Sequence, residues 1–167
     1  MGSMERAEIL RQHGYDFLWV GKDGQEPELW MWNVPNEIEA QKQIADQAFG
    51  DVLVAGYGLG VVQRLLLENP KVERILTCEI SPSVVEANRK AYGRLYGDVV
   101  ICDFYEFQTR GKFDCVVGDI WEDIMPEDLE DYLAFKKKAK SLLKEGGKIL
   151  AWGQDYFEYK LRKRTAS

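Results

Sequence analysis

The chain has 167 residues, 46% of them apolar, and a formal net charge of −6. That length holds one domain with a proper core, and the acidic balance argues against nucleic acid or an anionic membrane as a partner and is compatible with a cationic substrate. No apolar run approaches the ~20 residues of a membrane-spanning helix, so no membrane partner is expected.

No secretory leader is visible. Cys78, Cys102 and Cys115 each lie inside an apolar run and none has metal-ligand spacing. They read as buried thiols in a reducing, cytoplasmic setting, and no metal is expected. Met1-Gly2-Ser3 ahead of Met4 reads as an expression remnant.

Taken in order, residues 4–50 are expected to hold a helix, a β-hairpin and a second helix. The first helix covers Glu5 to Gln12 and is ended by Gly14. Two aromatic runs of strand type follow, Tyr15 to Val20 and Glu28 to Asn33, with a turn signal at Lys22-Asp23-Gly24. This hairpin either packs on the domain edge or forms a lid over a ligand. Pro35 to Phe49 has helical spacing of Ile38, Ile44, Ala45 and Ala48, and Gly50 ends it.

Residues 51–167 read as a nucleotide-binding unit. Val52 to Ala55 is a short apolar strand, followed by glycines at 56, 58 and 60 and by a helical run from Val61 to Glu68. Strand, glycine turn and helix in this order bind nucleotides, because the tight turn brings a ligand close to bare backbone. Arg74 to Glu79 is the next strand, and Ser81-Pro82 opens a helix to about Tyr92 with Ser81 as N-cap. Gly97 to Cys102 and Phe113 to Gly118 are further strands. Glu127 to Lys144 is a long helix ended by Gly146-Gly147, Lys148 to Trp152 is a fifth strand, and a last helix covers Asp155 to Lys163. Alternating strands and helices predict an α/β fold, a doubly wound parallel sheet of about five strands.

Ligands of such sheets bind beyond the carboxyl ends of the strands. Acids stand there: Glu79, Asp103 and Asp119. Glu79, about twenty residues past the glycines, is placed to accept from both ribose hydroxyls; its other reading is a strand-end cap. Asp103-Phe104 offers an acceptor for an exocyclic amine and an aromatic for a base, or else Asp103 caps a short turn. Asp119 begins a loop containing Trp121, Glu122 and Asp123, which suits a cation, although a solvated acidic loop has the same composition. The single histidine, His13, lies in an N-terminal turn, so Ser-His-Asp chemistry is not expected.

With these residues together, the chain resembles the class I S-adenosylmethionine-dependent methyltransferases, which have a Rossmann-like fold. The resemblance runs from about Asp51 to Trp152. Ala55-Gly-Tyr-Gly-Leu-Gly60 is similar to the family's first motif, Cys78-Glu79-Ile80-Ser81-Pro82 to the second, Cys102-Asp103-Phe104 to the third and Phe113 to Asp119 to the fourth. It implies S-adenosyl-L-methionine as cofactor, held by Gly56, Tyr57, Gly58, Gly60, Glu79, Ile80, Asp103, Phe104 and Asp119. It also implies Asp119 as the catalytic residue, accepting the nucleophile's proton or orienting it by a hydrogen bond, with Trp121, Glu122 and Trp32 toward the substrate.

Two branches are most similar. Spermidine synthases share the outline of Glu79-Ile80-Ser81-Pro82, an N-terminal hairpin and the absence of the usual acid before the first glycine, where Val54 stands. Asp119 and Glu122 match the two acids of their reactive loop, while Ile120 and Trp121 do not match its hydroxyls. Guanidinoacetate methyltransferases are similar in Gly56 to Gly60 and in Asp119, but Trp32-Asn33 lacks their second acid. The family's final antiparallel hairpin has no counterpart after Trp152, which suggests a homodimer covering an open edge. The expected activity is methyl transfer to a small amine or guanidine. The alternatives are aminopropyl transfer and a non-catalytic binding module.

Overall fold

The computed structural model describes residues 5–118 and 126–166. Its first sheet is an antiparallel meander of β1 (Glu5–Gln12), β2 (Tyr15–Lys22) and β3 (Glu28–Trp32). After α1 (Pro35–Asp46), strands and helices alternate: β4 (Gly50–Ala55), α2 (Val61–Leu67), β5 (Val72–Glu79), α3 (Pro82–Tyr92), β6 (Asp98–Ile101), β7 (Phe113–Gly118), α4 (Leu129–Leu142), β8 (Leu143–Ala151) and α5 (Gln154–Ala166). The strands from β4 onward form a parallel sheet in the order β6-β5-β4-β7-β8, so its direction of winding reverses at β4. The expected α/β architecture with five parallel strands is present, and the meander does not pair onto it.

Both faces of the parallel sheet are covered, so its central strands are apolar throughout rather than alternating. Leu53 and Val116 pack on one face against Tyr132, Phe135 and Phe157 of α4 and α5. Val52, Val54, Cys115 and Val117 pack on the other against Ile44, Ala45, Val62 and Leu66 of α1 and α2. A third cluster, Leu18, Val20, Leu59, Val61 and Val84, joins the meander to the glycine turn, α2 and α3. Ser81 accepts from the Val84 N–H at 3.2 Å and caps α3 as expected.

Two expectations are corrected. Glu5 to Gln12 is a strand, not a helix, and it pairs with β2 from Glu5↔Lys22 to Gln12↔Tyr15. Its residues are good helix formers, but Ala7 and Ile9 alternate inward onto the third cluster, and this tertiary burial outweighs propensity. His13 and Gly14, at φ of 54° and 82°, form the two-residue turn with both φ values positive that suits a hairpin. Gly14 therefore closes a hairpin.

The second correction concerns Gly146-Gly147, which lie inside β8 and do not end α4. The β7–β8 register shifts between Phe113 and Cys115, so extra residues of β8 bulge at the glycines. A Cβ at Gly147 would lie 2.9 Å from the Asp114 carbonyl. Of the thiols, Cys78 and Cys115 are buried as expected, Cys102 is only half-buried, and all three are free.

Asp114 ties β7 to β4. Its Oδ2 accepts from the Asp51 N–H at 2.8 Å and from Lys144 Nζ at 3.2 Å. The Asp51 hydrogen bond, helped by Lys144, holds this carboxyl below its ordinary value. A depressed carboxyl contributes stability that is present above its unfolded pKa and lost as pH falls through the folded one. Asp114→Asn should therefore lower stability near neutral pH and flatten its decline below about pH 4. Urea midpoints measured from pH 7 to pH 2 that fall in parallel for both proteins would refute this.

Candidate functional site

The glycine turn between β4 and α2 is held by side chains from three other elements. Glu79, at the end of β5, is 5% exposed, and its Oε1 accepts from the Tyr57 N–H at 2.9 Å. Its Oε2 accepts from the Ser81 N–H at 2.8 Å. Asn88 of α3 donates to the Gly58 carbonyl at 2.8 Å. Gln63 of α2 donates to the Gly56 carbonyl at 3.2 Å. Met31 of β3 reaches the turn from above, accepting from the Leu59 N–H at 3.4 Å through its sulfur.

Two glycines are required by what surrounds them. At Gly58, φ +58°, a Cβ would lie 2.5 Å from Met31 Sδ, and at Gly60, φ +72°, one would lie 2.7 Å from the Tyr57 hydroxyl. The Tyr57 ring is buried beneath the turn and its hydroxyl accepts from the Tyr96 N–H at 2.9 Å. Burial pushes the Tyr57 phenol above its ordinary pKa.

These groups border a cavity of about 1090 Å³ at the carboxyl end of the parallel sheet. Gly56, Tyr57, Gly58, Glu79, Ile80, Asp103, Phe104 and Trp32 all line it, so the structure brings most of the anticipated residues into one place. Gly60 shapes the turn without lining the cavity. Asp119, Trp121 and Glu122 lie outside the described residues.

Their individual settings differ. Ile80 is largely exposed, and Trp32 is half-exposed with its ring edge-on to Phe17 at 5.9 Å. Asp103 Oδ1 accepts from the Tyr105 N–H at 2.9 Å, the turn-capping geometry. Phe104 is buried and stacks on Phe135 at 5.4 Å, so its ring belongs to the core and to the cavity wall at once. The exposed aromatic beside it is Tyr105. Residues 28–32 of β3 line the opposite wall, which places the meander over the cavity.

Sequence reasoning missed Gln63, Asn88, Met31 and Glu37. The signal for the first two was a polar residue on the apolar face of a helix: Gln63 among Val62 and Leu66, and Asn88 among Val84 and Val85. Met31 and Glu37 carried none, because their approach to the site depends on how the meander and α1 fold back. The wall contains four carboxylates, Glu28, Glu37, Glu79 and Asp103, and no lysine, arginine or histidine among its described residues. Such a wall favours a cation over a phosphate-bearing ligand. The described residues contain no cluster suited to a metal ion.

A family model for the spermine/spermidine synthase domain matches residues 40–163. The chain belongs to the spermine/spermidine synthase family. Over 105 residues it is 32% identical to a spermidine synthase of Dictyostelium discoideum, a stretch covering 58% of this chain and 37% of that one. Over 113 residues it is 27% identical to a ribosomal RNA small subunit methyltransferase C of Salmonella arizonae, covering 66% of this chain and 33% of that one.

Among solved structures, a spermidine synthase from Thermotoga maritima superposes with a TM-score of 0.57 at 18% identity, covering 87% of this chain and 55% of that one. A S-adenosylmethionine-dependent methyltransferase from Clostridium acetobutylicum superposes with a TM-score of 0.51 at 20% identity, covering 71% and 50%. Such identities establish the Rossmann-like fold of this spermine/spermidine synthase family member. The chain spans about a third of the length of the curated relatives, 37% and 33%.

Proposed function

We propose that this domain binds S-adenosyl-L-methionine and transfers its methyl group to a nitrogen of a small amine or guanidine. The observation that carries the reading is the cavity wall: a glycine turn beside four carboxylates and no described basic side chain. A sulfonium nucleoside has a positive charge at sulfur, two ribose hydroxyls and no phosphate. Glu79 Oε1 and Oε2 each accept one backbone N–H, and a carboxylate has about four acceptor sites, so two remain for the ribose. Asp103 stands beside them at the end of β6 for the adenine amine.

In the transfer, the nitrogen lone pair attacks the carbon on sulfur. The C–S bond breaks and its electrons neutralise the sulfonium, leaving a thioether. The nitrogen sheds a proton, and Asp119, the residue following β7, is the acceptor assigned to it. Donor activation resides in the sulfonium, so the protein's contribution is alignment and exclusion of water. A second reading, aminopropyl transfer from decarboxylated S-adenosylmethionine, is favoured by membership of the spermine/spermidine synthase family.

Calorimetric titration with S-adenosylmethionine, its decarboxylated form, S-adenosylhomocysteine and NAD tests the reading. Micromolar binding of a sulfonium nucleoside or its thioether product is expected, and NAD binding without any response to S-adenosylhomocysteine would refute it. The mass of the acceptor product separates methyl from aminopropyl transfer. Asp119→Asn should leave cofactor affinity within a fewfold and lower turnover by about 10². Lost cofactor binding with unchanged turnover per bound cofactor would make Asp119 a cofactor ligand only.

Among the described residues no helix is long and apolar enough to cross a membrane. The three free cysteines support a reducing, cytoplasmic setting, and the acidic balance supports a small-molecule partner over nucleic acid. The edge strands β6 and β8, and the exposed Leu29 and Trp30 of edge strand β3, support a homodimer. Light scattering at tens of micromolar should report twice the chain mass; a monomer would remove the proposal.

A further inference from the structure

We propose that Gln63 is a specificity-determining residue of the cavity, its amide oxygen accepting an N–H from the ammonium at the end of the donor's tail. The inference rests on the sulfonium-nucleoside reading above. Gln63 is fully buried and forms part of the cavity wall. Its Nε2 donates to the Gly56 carbonyl at 3.2 Å and to Thr77 Oγ1 at 3.1 Å. A carbonyl only accepts, so the Gly56 contact fixes which end of the amide is nitrogen. The remaining polar atom, Oε1, is buried and has no hydrogen-bond partner among the described residues. Buried amide oxygens are normally satisfied, and one left open at a cavity wall marks a place for a donor.

The position agrees with the course of a donor across the sheet. Glu79 and Asp103 stand at the ends of β5 and β6 and take the nucleoside on that side. β4 and the start of α2, where Gln63 holds Gly56, lie on the side of β5 away from β6, so a tail that leaves sulfur away from the ribose would run toward Gln63. Glu37 of α1 lines the same cavity and supplies a negative charge for the ammonium.

The test compares two thioethers that differ only in the amine, 5′-deoxy-5′-(3-aminopropylthio)adenosine and 5′-deoxy-5′-(propylthio)adenosine, titrated into the full chain. The wild type should prefer the amine by about tenfold or more, the worth of one hydrogen bond to a charged group. Gln63→Met should shrink that preference to within about threefold, beyond any loss shared by both compounds from releasing the Gly56 carbonyl. Gln63→Asn, which withdraws the amide by one methylene, should shrink it as well and serves if the methionine variant does not fold. Equal loss for both compounds, with the preference kept, would make Gln63 a support of the turn and overturn the inference while the donor reading stands. Equal affinity of the wild type for both compounds would also overturn it. Binding of neither compound would overturn the donor reading itself.

Discussion

Glu79→Ala should weaken binding of S-adenosylhomocysteine by at least about tenfold and also destabilise the fold. Two hydrogen bonds from ribose hydroxyls to a carboxylate are worth roughly 1.5–3 kcal/mol each, so tenfold is the lower bound. The cost to stability arises because this carboxylate already holds the Tyr57 and Ser81 N–H groups in a buried setting. Truncation orphans both, at about 1–3 kcal/mol per buried donor. Glu79→Gln keeps one acceptor oxygen but turns an NH2 group toward the second N–H, so it should fall between wild type and alanine in both respects. Urea unfolding and calorimetric titration on the three proteins measure the two effects. Unchanged affinity would leave Glu79 as a cap for the glycine turn, and unchanged stability would contradict the hydrogen bonds seen here.

Phe135→Ala should cost about 3–5 kcal/mol, the usual range for removing a buried aromatic ring. The ring is fully buried on α4, stacks on Phe104 at 5.4 Å and fills the space where Gly118 has no side chain. For a chain of this length, about 2–4 °C is lost per kcal/mol, so the melting temperature should fall by roughly 6–20 °C. The effect should reach the site, because Phe104 also lines the cavity. At a temperature where the variant is folded, S-adenosylhomocysteine should bind more weakly, and saturating ligand should recover part of the lost melting temperature by mass action. A loss below about 1 kcal/mol would show that the core closes around the missing ring. Unaltered affinity would separate Phe104's packing from its place at the cavity.

Both variants show how fold and site share residues. The glycine turn is a ligand cradle only because Glu79, Asn88, Gln63 and Met31 hold its backbone from β5, α3, α2 and β3. Every one of these contacts joins parts of the chain that are distant in sequence or lie on different elements.

The parallel-sheet core, the glycine turn, the Ser81 cap and the acids at the ends of β5 and β6 are all legible in the order of the residues. Each is encoded within a window of a few residues: an apolar run bounded by breakers, glycines at alternate positions, Ser-Pro at a helix start. The remaining features depend on contacts between distant segments. Glu5 to Gln12 has helical residues but becomes a strand because β2 offers it a ladder and the third cluster a place for Ala7 and Ile9. Gly146-Gly147 looks like a helix end but is a bulge, because β8 must pass the Asp114 carbonyl within reach of its backbone. Phe104 stands at the cavity wall where its aromatic ring suits a base, and only the fold adds its stack on Phe135, since α4 brings that ring to it from across the chain. In each case the deciding energy comes from burial or pairing with a distant segment, and no local pattern carries that information.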